Sequence, residues 1–116
     1  MQISSKNNIG FGRVVEAVVG NISGLHQTPS SAIVRLARKT DKPMFFAVEP
    51  GNDVFKVNVR DSVLSVMLLE LTRGRTVYIH VPEDYPQRIL NAVIRCVKAD
   101  SDNSVRYIEN GFNTLV

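Results

Sequence analysis

The sequence predicts a mostly-β domain, a five- to six-stranded Greek-key barrel of the OB-fold type with one helix between its strands. Short runs of β-branched residues recur along the chain, turn-forming residues separate them, and one segment, residues 62–73, has helical periodicity. Strands that do not alternate with helices disfavour a parallel βαβ sheet. An α+β sheet with one helix packed on a face is the alternative architecture.

Length and composition indicate a single globular domain over residues 1–116, with residues 1–9 as a frayed amino terminus. Apolar residues make up 44% of the chain and charged residues 22%, which is ordinary for a folded protein. No apolar run approaches the roughly 18 residues of a membrane helix, so membrane insertion is not expected. The net charge of +3 favours anionic partners without selecting one.

The strands are predicted from alternating side chains and β-branched content. They cover residues 13–19, 32–38, 44–48, 54–59, 76–81 and 89–98, with a short last strand at 104–109 and a tail at 110–116. Residues 23–31 are expected to form a loop, because they contain Gly24, Pro29 and three serines. Residues 49–53 give the strongest turn signal in the chain.

The predicted helix has signals at both ends. Asp61 can cap a helix that begins at Ser62, since its carboxylate can accept from the N–H groups of the first turn. Arg73 lies in the last turn, where a cation is favoured, and Gly74 follows it. The helix is apolar over more than half its circumference, and Leu68 is part of that surface. We therefore expect burial on two sides, by the barrel and by a neighbouring subunit.

The residue pattern predicts a protein that is not an enzyme, with no catalytic residues, no cofactor and no metal site. His26, His80 and Cys96 are far apart in the sequence and lack the ligand spacing of structural zinc sites. No serine lies in a Gly-x-Ser-x-Gly elbow, and no two carboxylates are marked as a glycosidase pair. Cys96 lies in an alternating apolar run, which indicates a small buried hydrophobe.

A candidate ligand site is placed on the loops at one end of the barrel. Arg13, Arg73 and Arg75 could hold an anion there, with Tyr78 or Tyr85 as a stacking face. Simpler explanations are that Arg73 ends a helix and that Tyr78 covers the sheet. The basic residues also favour nucleic acid as an alternative partner, although the chain has no Trp to stack bases.

The middle of the chain resembles the receptor-binding B subunits of pentameric AB-type bacterial toxins, in the pertussis-like and subtilase-cytotoxin-like group. The resemblance covers residues 13–81 and is carried by Val19-Gly20-Asn21-Ile22, Thr28-Pro29-Ser30, Leu71-Thr72-Arg73-Gly74-Arg75 and Val77-Tyr78-Ile79-His80-Val81. It implies an OB-fold subunit in a homopentamer that binds sialylated glycans, with a glycan and a catalytic A subunit as candidate partners beside further copies of itself.

Three functions stay open on these grounds. The first is an oligomeric, B-subunit-like protein that binds a glycan or another small polar or anionic ligand. The others are an OB-fold binder of single-stranded nucleic acid and an adaptor or structural protein with no small ligand. The compartment stays open too, because the polar residues 1–8 show no secretory signal. That indicates either a cytoplasmic protein or a secreted one whose signal was removed ahead of Met1.

Overall fold

Residues 12–49 and 56–114 are described by a computed structural model, and within them the chain forms four strands and four helices. The elements are β1 (Arg13–Val18), α1 (Gln27–Ala37), β2 (Phe45–Ala47), β3 (Val57–Asn58), α2 (Val63–Met67), β4 (Thr76–Val81), α3 (Gln87–Lys98) and α4 (Asp102–Thr114). The strands form one open antiparallel sheet in the order β1-β4-β2-β3. This α/β architecture corrects the predicted OB-fold barrel, which is wrong.

The sheet is centred on the long pairing of β1 with β4, which runs from Arg13 opposite Val81 to Val18 opposite Thr76. Successive side chains of a strand point to opposite faces. Ala17 is therefore buried in the core, while its neighbour Val18 is 51% exposed on the other face. The helices α1, α3 and α4 contact one another and close the core over the buried face.

Three predicted strands are confirmed by the structure. Residues 13–19, 44–48 and 76–81 correspond to β1, β2 and β4, with ends that differ by at most one residue. Of the predicted strand at 54–59, residues 57 and 58 form β3, and residues 54–55 lie outside the described residues. The predicted frayed segment 1–9 and turn residues 50–53 also lie outside them.

Residues 27–37, predicted as the end of a loop and a strand, form the helix α1. Its buried residues are Pro29, Ser30, Ala32, Ile33, Val34, Leu36 and Ala37. In a strand with one buried face, only every second residue would be buried, but here consecutive residues are buried. A helix can place all of these residues on one broad apolar face. Pro29 does not oppose the helix, since a proline in the first turn removes no intrahelical hydrogen bond.

Residues 89–98, predicted as a long strand, lie in the helix α3, which begins at Gln87. Its buried residues recur at spacings of three and four: Ile89, Leu90, Ala92, Val93, Cys96 and Val97. Asn91 and Arg95 face solvent between them. The β-branched residues favoured a strand in the prediction, but packing of this arc against the core outweighs their weak intrinsic preference.

Residues 102–114 form the helix α4 instead of the predicted strand and tail. Ser101 caps its start, because the Ser101 hydroxyl accepts from the Ser104 N–H at 3.1 Å. Its buried residues are three and four positions apart: Val105, Ile108 and Phe112. Arg88 of α3 stacks on the Phe112 ring, 4.1 Å from its centroid, and donates to the Phe112 carbonyl at 2.7 Å. These contacts fix α4 on the rest of the molecule.

The predicted helix at 62–73 is shortened to α2. Its cap is Ser62, not Asp61, because the Ser62 hydroxyl accepts from the Ser65 N–H at 3.1 Å. The helix ends before Glu70, whose φ of +53° is outside the helical region. The expected burial on two sides is also wrong, since Leu68 is 69% exposed.

Candidate functional site

The loop between β1 and α1 is held in place at two glycines. The Gly20 N–H donates to the Val97 carbonyl at 3.1 Å, and a side chain at Gly20 would collide with the Lys98 carbonyl. Gly24 has a φ of +70°, which residues other than glycine rarely adopt. It also packs closely on the Leu71 carbonyl, which a side chain at this position would meet. The loop therefore approaches both the end of α3 and the segment after α2.

His26 lies immediately before the first turn of α1. Its φ and ψ of −79° and −164° are extended, and its carbonyl accepts the first helical hydrogen bond from Ser30 at 3.1 Å. The imidazole does not cap the helix. The N–H groups of Gln27 and Thr28 have no acceptor within the helix, and the positive end of the helix dipole lies there. An anion beside His26 would be stabilised by both effects.

The imidazole contacts Asp102, the first residue of α4. His26 Nε2 is 2.9 Å from Asp102 Oδ1, and the two side chains are 33% and 35% exposed. Asn21 Nδ2 donates to the same carboxylate oxygen at 3.0 Å. Asn21 is buried, and its own side-chain oxygen accepts from the Ser23 N–H at 2.9 Å. Three side chains from two segments, the loop before α1 and the start of α4, thus form one hydrogen-bonded cluster.

The charge state of Asp102 determines which imidazole nitrogen is free. Hydrogen bonds from Asn21 and then from His26 lower the pKa of the Asp102 carboxyl below its ordinary value, so it is ionised at neutral pH. An ionised carboxylate only accepts hydrogen bonds, and therefore Nε2 of His26 donates. A neutral imidazole with its proton on Nε2 has its lone pair on Nδ1.

A cavity of about 230 Å³ opens between α1 and α4 on the Gln27 and Thr28 side of the helix start. Arg106 of α4 lines it. Arg35 also lines it but is paired with Glu109, with N–O distances of 2.6 and 2.8 Å. Arg106 thus adds positive charge beside the start of α1.

The chain belongs to the PTS-HPr family, because the family model described as "PTS HPr component phosphorylation site" matches residues 15–99. No curated protein matches the chain. The prediction that the chain is not an enzyme is confirmed by the family, whose members carry a phosphoryl group.

Solved structures show the same fold. HPr-C-His from Thermoanaerobacter tengcongensis is similar with a TM-score of 0.62 at 21% identity, over 81% of this chain and 96% of that one. A phosphocarrier protein HPr from Bacillus anthracis has a TM-score of 0.60 at 21% identity, over 73% and 95%. A histidine-containing phosphocarrier protein of mycoplasma has a TM-score of 0.62 at 17% identity, over 80% and 97%.

These findings correct the resemblance to toxin B subunits, which is wrong. The predictions that depended on it are wrong too: a homopentamer, a glycan ligand and a catalytic A subunit as partner. The alternative of an OB-fold protein that binds nucleic acid is also wrong. The segment that contains Thr28 and Pro29 is the first turn of a helix, not a loop between strands. The predicted helix does not continue to Gly74, because α2 ends at Met67. Gly74 lies two residues before β4, and its N–H donates to the Val19 carbonyl at 2.8 Å.

The five predicted ligand-binding residues are not brought together. Arg13 starts β1 and donates to Gln87 at 2.7 Å, whereas Arg73 and Arg75 precede β4 at the far end of that pairing. Tyr78 is half-buried within β4, and Tyr85 is buried, which raises its pKa to about 12. The binding role of these residues stays a prediction. Within the described ranges, no three potential metal ligands form a cluster, and no helix is long and apolar enough to cross a membrane.

Sequence reasoning missed the cluster around His26. From the sequence, His26 is a candidate only as a metal ligand, and residues 23–31 are predicted as a loop. A helix over 27–37 would have placed His26 at a helix start, where anions are stabilised. The contact of Asp102 with His26 could not be predicted in the same way, because the two residues are 76 positions apart in the chain.

Proposed function

We propose that this chain is a phosphocarrier that accepts a phosphoryl group on His26 and passes it to another PTS protein. The observation that carries the proposal is the position of the imidazole, one-third exposed at the start of α1, within a segment matched as a phosphorylation site. Two of the similar structures are a phosphocarrier protein HPr and a histidine-containing phosphocarrier protein, which supports the same function.

The second histidine of the chain does not suit this role. His80 lies in the middle of the sheet, paired with Val14 on one side and Phe45 on the other, and is only 6% exposed. A phosphoryl donor and a phosphoryl acceptor must both reach the same nitrogen. Of the two, His26 alone offers a ring that a second protein can approach.

The transfer can be written with the imidazole ring and the groups next to it. The lone pair of an imidazole nitrogen attacks the phosphorus, the bond from phosphorus to the donor breaks, and the donor keeps that electron pair. In the reverse direction, a nucleophile of the acceptor takes the phosphoryl group and the ring recovers its lone pair. The N–H groups of Gln27 and Thr28 and the guanidinium of Arg106 offer stabilisation to the phosphoryl oxygens.

The proposal is tested by treating the protein with phosphoramidate, a small phosphoryl donor, and measuring its intact mass. We expect a gain of one phosphoryl group, located on the peptide that contains His26, and complete loss of this gain in His26→Ala. Because the side chain is partly exposed, His26→Ala is expected to fold. Labelling of the wild-type protein at another residue, or equal labelling of the variant, would overturn the proposal.

A further inference from the structure

The family match ends at residue 99, whereas α4 begins at residue 102. The first residue of this helix nevertheless contacts the imidazole, with Asp102 Oδ1 2.9 Å from His26 Nε2. A segment outside the matched region therefore contributes a side chain to the phosphorylation site proposed above.

We infer that Asp102 is a positioning residue for phosphoryl transfer: it holds the His26 ring with its proton on Nε2 and so directs the phosphoryl group to Nδ1. This inference rests on the proposed function of His26. It adds a residue and a segment of the chain to that function.

The position of Asp102 is set by the structure around it. The buried Asn21 donates to the same oxygen at 3.0 Å and is itself fixed by the Ser23 N–H. Further along α4, Glu109 forms a two-bond ion pair with Arg35 of α1. Both contacts link α4 to the chain that flanks His26. The carboxylate itself cannot turn away from the ring without breaking its hydrogen bond to Asn21.

The negative charge of the carboxylate is opposite to the positive charge that the reaction creates on the ring. When Nδ1 forms its bond to phosphorus and the donor leaves with the electron pair, the Nε2–H bond stays intact and the ring becomes cationic. The Asp102 carboxylate lies against that Nε2–H and balances the positive charge. On discharge, the electron pair of the N–P bond returns to Nδ1 and the ring is neutral again.

The variant that tests this is Asp102→Asn, which keeps the shape and one acceptor oxygen but removes the charge. We expect phosphorylation by phosphoramidate to slow about tenfold or more, as is usual for losing a hydrogen bond to a charged group. We also expect part of the label to move to Nε2. Phosphorus-31 NMR distinguishes the two isomers, and a purely structural role would not change their ratio.

Asp100→Asn is the matched control. It removes the same charge two residues earlier, from an exposed carboxylate whose hydrogen bond goes to the Ser104 hydroxyl at 3.3 Å. Its rate and isomer ratio should equal those of the wild-type protein. An equal slowing in both variants would overturn a specific role for Asp102.

The unphosphorylated wild-type protein gives a second test that needs no variant. Long-range nitrogen-15 NMR should show the neutral His26 ring with its proton on Nε2. A proton on Nδ1 would overturn the inference. Wild-type labelling at His26, with the same rate and isomer in Asp102→Asn, would also overturn it and leave the proposed function standing. Failure of the wild-type protein to label at His26 would overturn both.

Discussion

His26 shows that a single side chain takes its function from its position. The chain has two histidines, and they differ in exposure: one-third of the His26 side chain reaches solvent, against 6% for His80. A helix start and a carboxylate adjoin His26, and Arg106 lines a cavity beside the first turn of that helix. The residues next to the two histidines in the sequence do not distinguish them as clearly as their exposure and surroundings in the structure do.

Cys96 gives a prediction at the same scale. It is fully buried in α3, and burial raises the pKa of its thiol to about 12. Because the thiolate is the reactive form, the folded protein should not react with a thiol reagent such as dithionitrobenzoate at neutral pH. One equivalent should react after unfolding in guanidinium. Fast reaction of the folded protein would show that the thiol is accessible.

Among the elements, α1, α3 and α4 were predicted as loop, strand or tail, and their patterns explain why. In α3 the apolar positions recur at three and four, yet the segment is also rich in Ile and Val, which alternation can group into two strand faces. In contrast, β1 and β4 show alternation in the sequence, β2 is a short apolar run between turn residues, and all three are predicted correctly. Alternation or shortness identifies these strands, whereas an apolar helix of the composition of α3 satisfies both the strand and the helix pattern.

Substitution of two glycines by alanine tests the backbone conformation before α1 and the helical conformation of α4. Gly24→Ala should lower the free energy of unfolding by about 1–2 kcal/mol, because φ is +70° and the new methyl group would press on the Leu71 carbonyl. Gly111→Ala is the matched substitution within α4, where a methyl group meets no atom within 4 Å. It should raise the free energy of unfolding by about 0.5–1 kcal/mol. Urea unfolding measures both, and destabilisation by Gly111→Ala would contradict a helix at that position.

Across the whole molecule, ion pairs make stability depend on pH. Hydrogen bonds, chiefly from Lys42 to Asp84 and from Asn21 and His26 to Asp102, lower the pKa of each carboxyl in the folded protein. Their contribution is therefore present above the ordinary carboxyl pKa of about 3.9 and is lost as the pH falls through the lower folded value.

The melting temperature should accordingly fall as the pH is lowered from about 4 towards 2, and this dependence should be weaker in Asp84→Asn and in Asp102→Asn. Thermal unfolding followed by circular dichroism across this range measures it. A variant whose pH profile matches that of the wild-type protein would show that its carboxyl titrates alike in the folded and unfolded chains.

The site is a property of the whole fold, and this limited its prediction from sequence. Asn21, His26 and Asp102 meet only because β1 ends beside α3 and α4 turns back towards α1. Without the correct helices, no pattern places residue 102 beside residue 26. The prediction that the chain is not an enzyme is confirmed by its family, whose members carry a phosphoryl group.

The central claim is that His26 carries the phosphoryl group, and phosphorus-31 NMR of the phosphoramidate-treated protein tests it most directly. The spectrum should contain one phosphohistidine resonance, which is stable to alkali, labile to acid and missing from His26→Ala. No phosphohistidine resonance in the wild-type protein, or one that persists in His26→Ala, would contradict the claim.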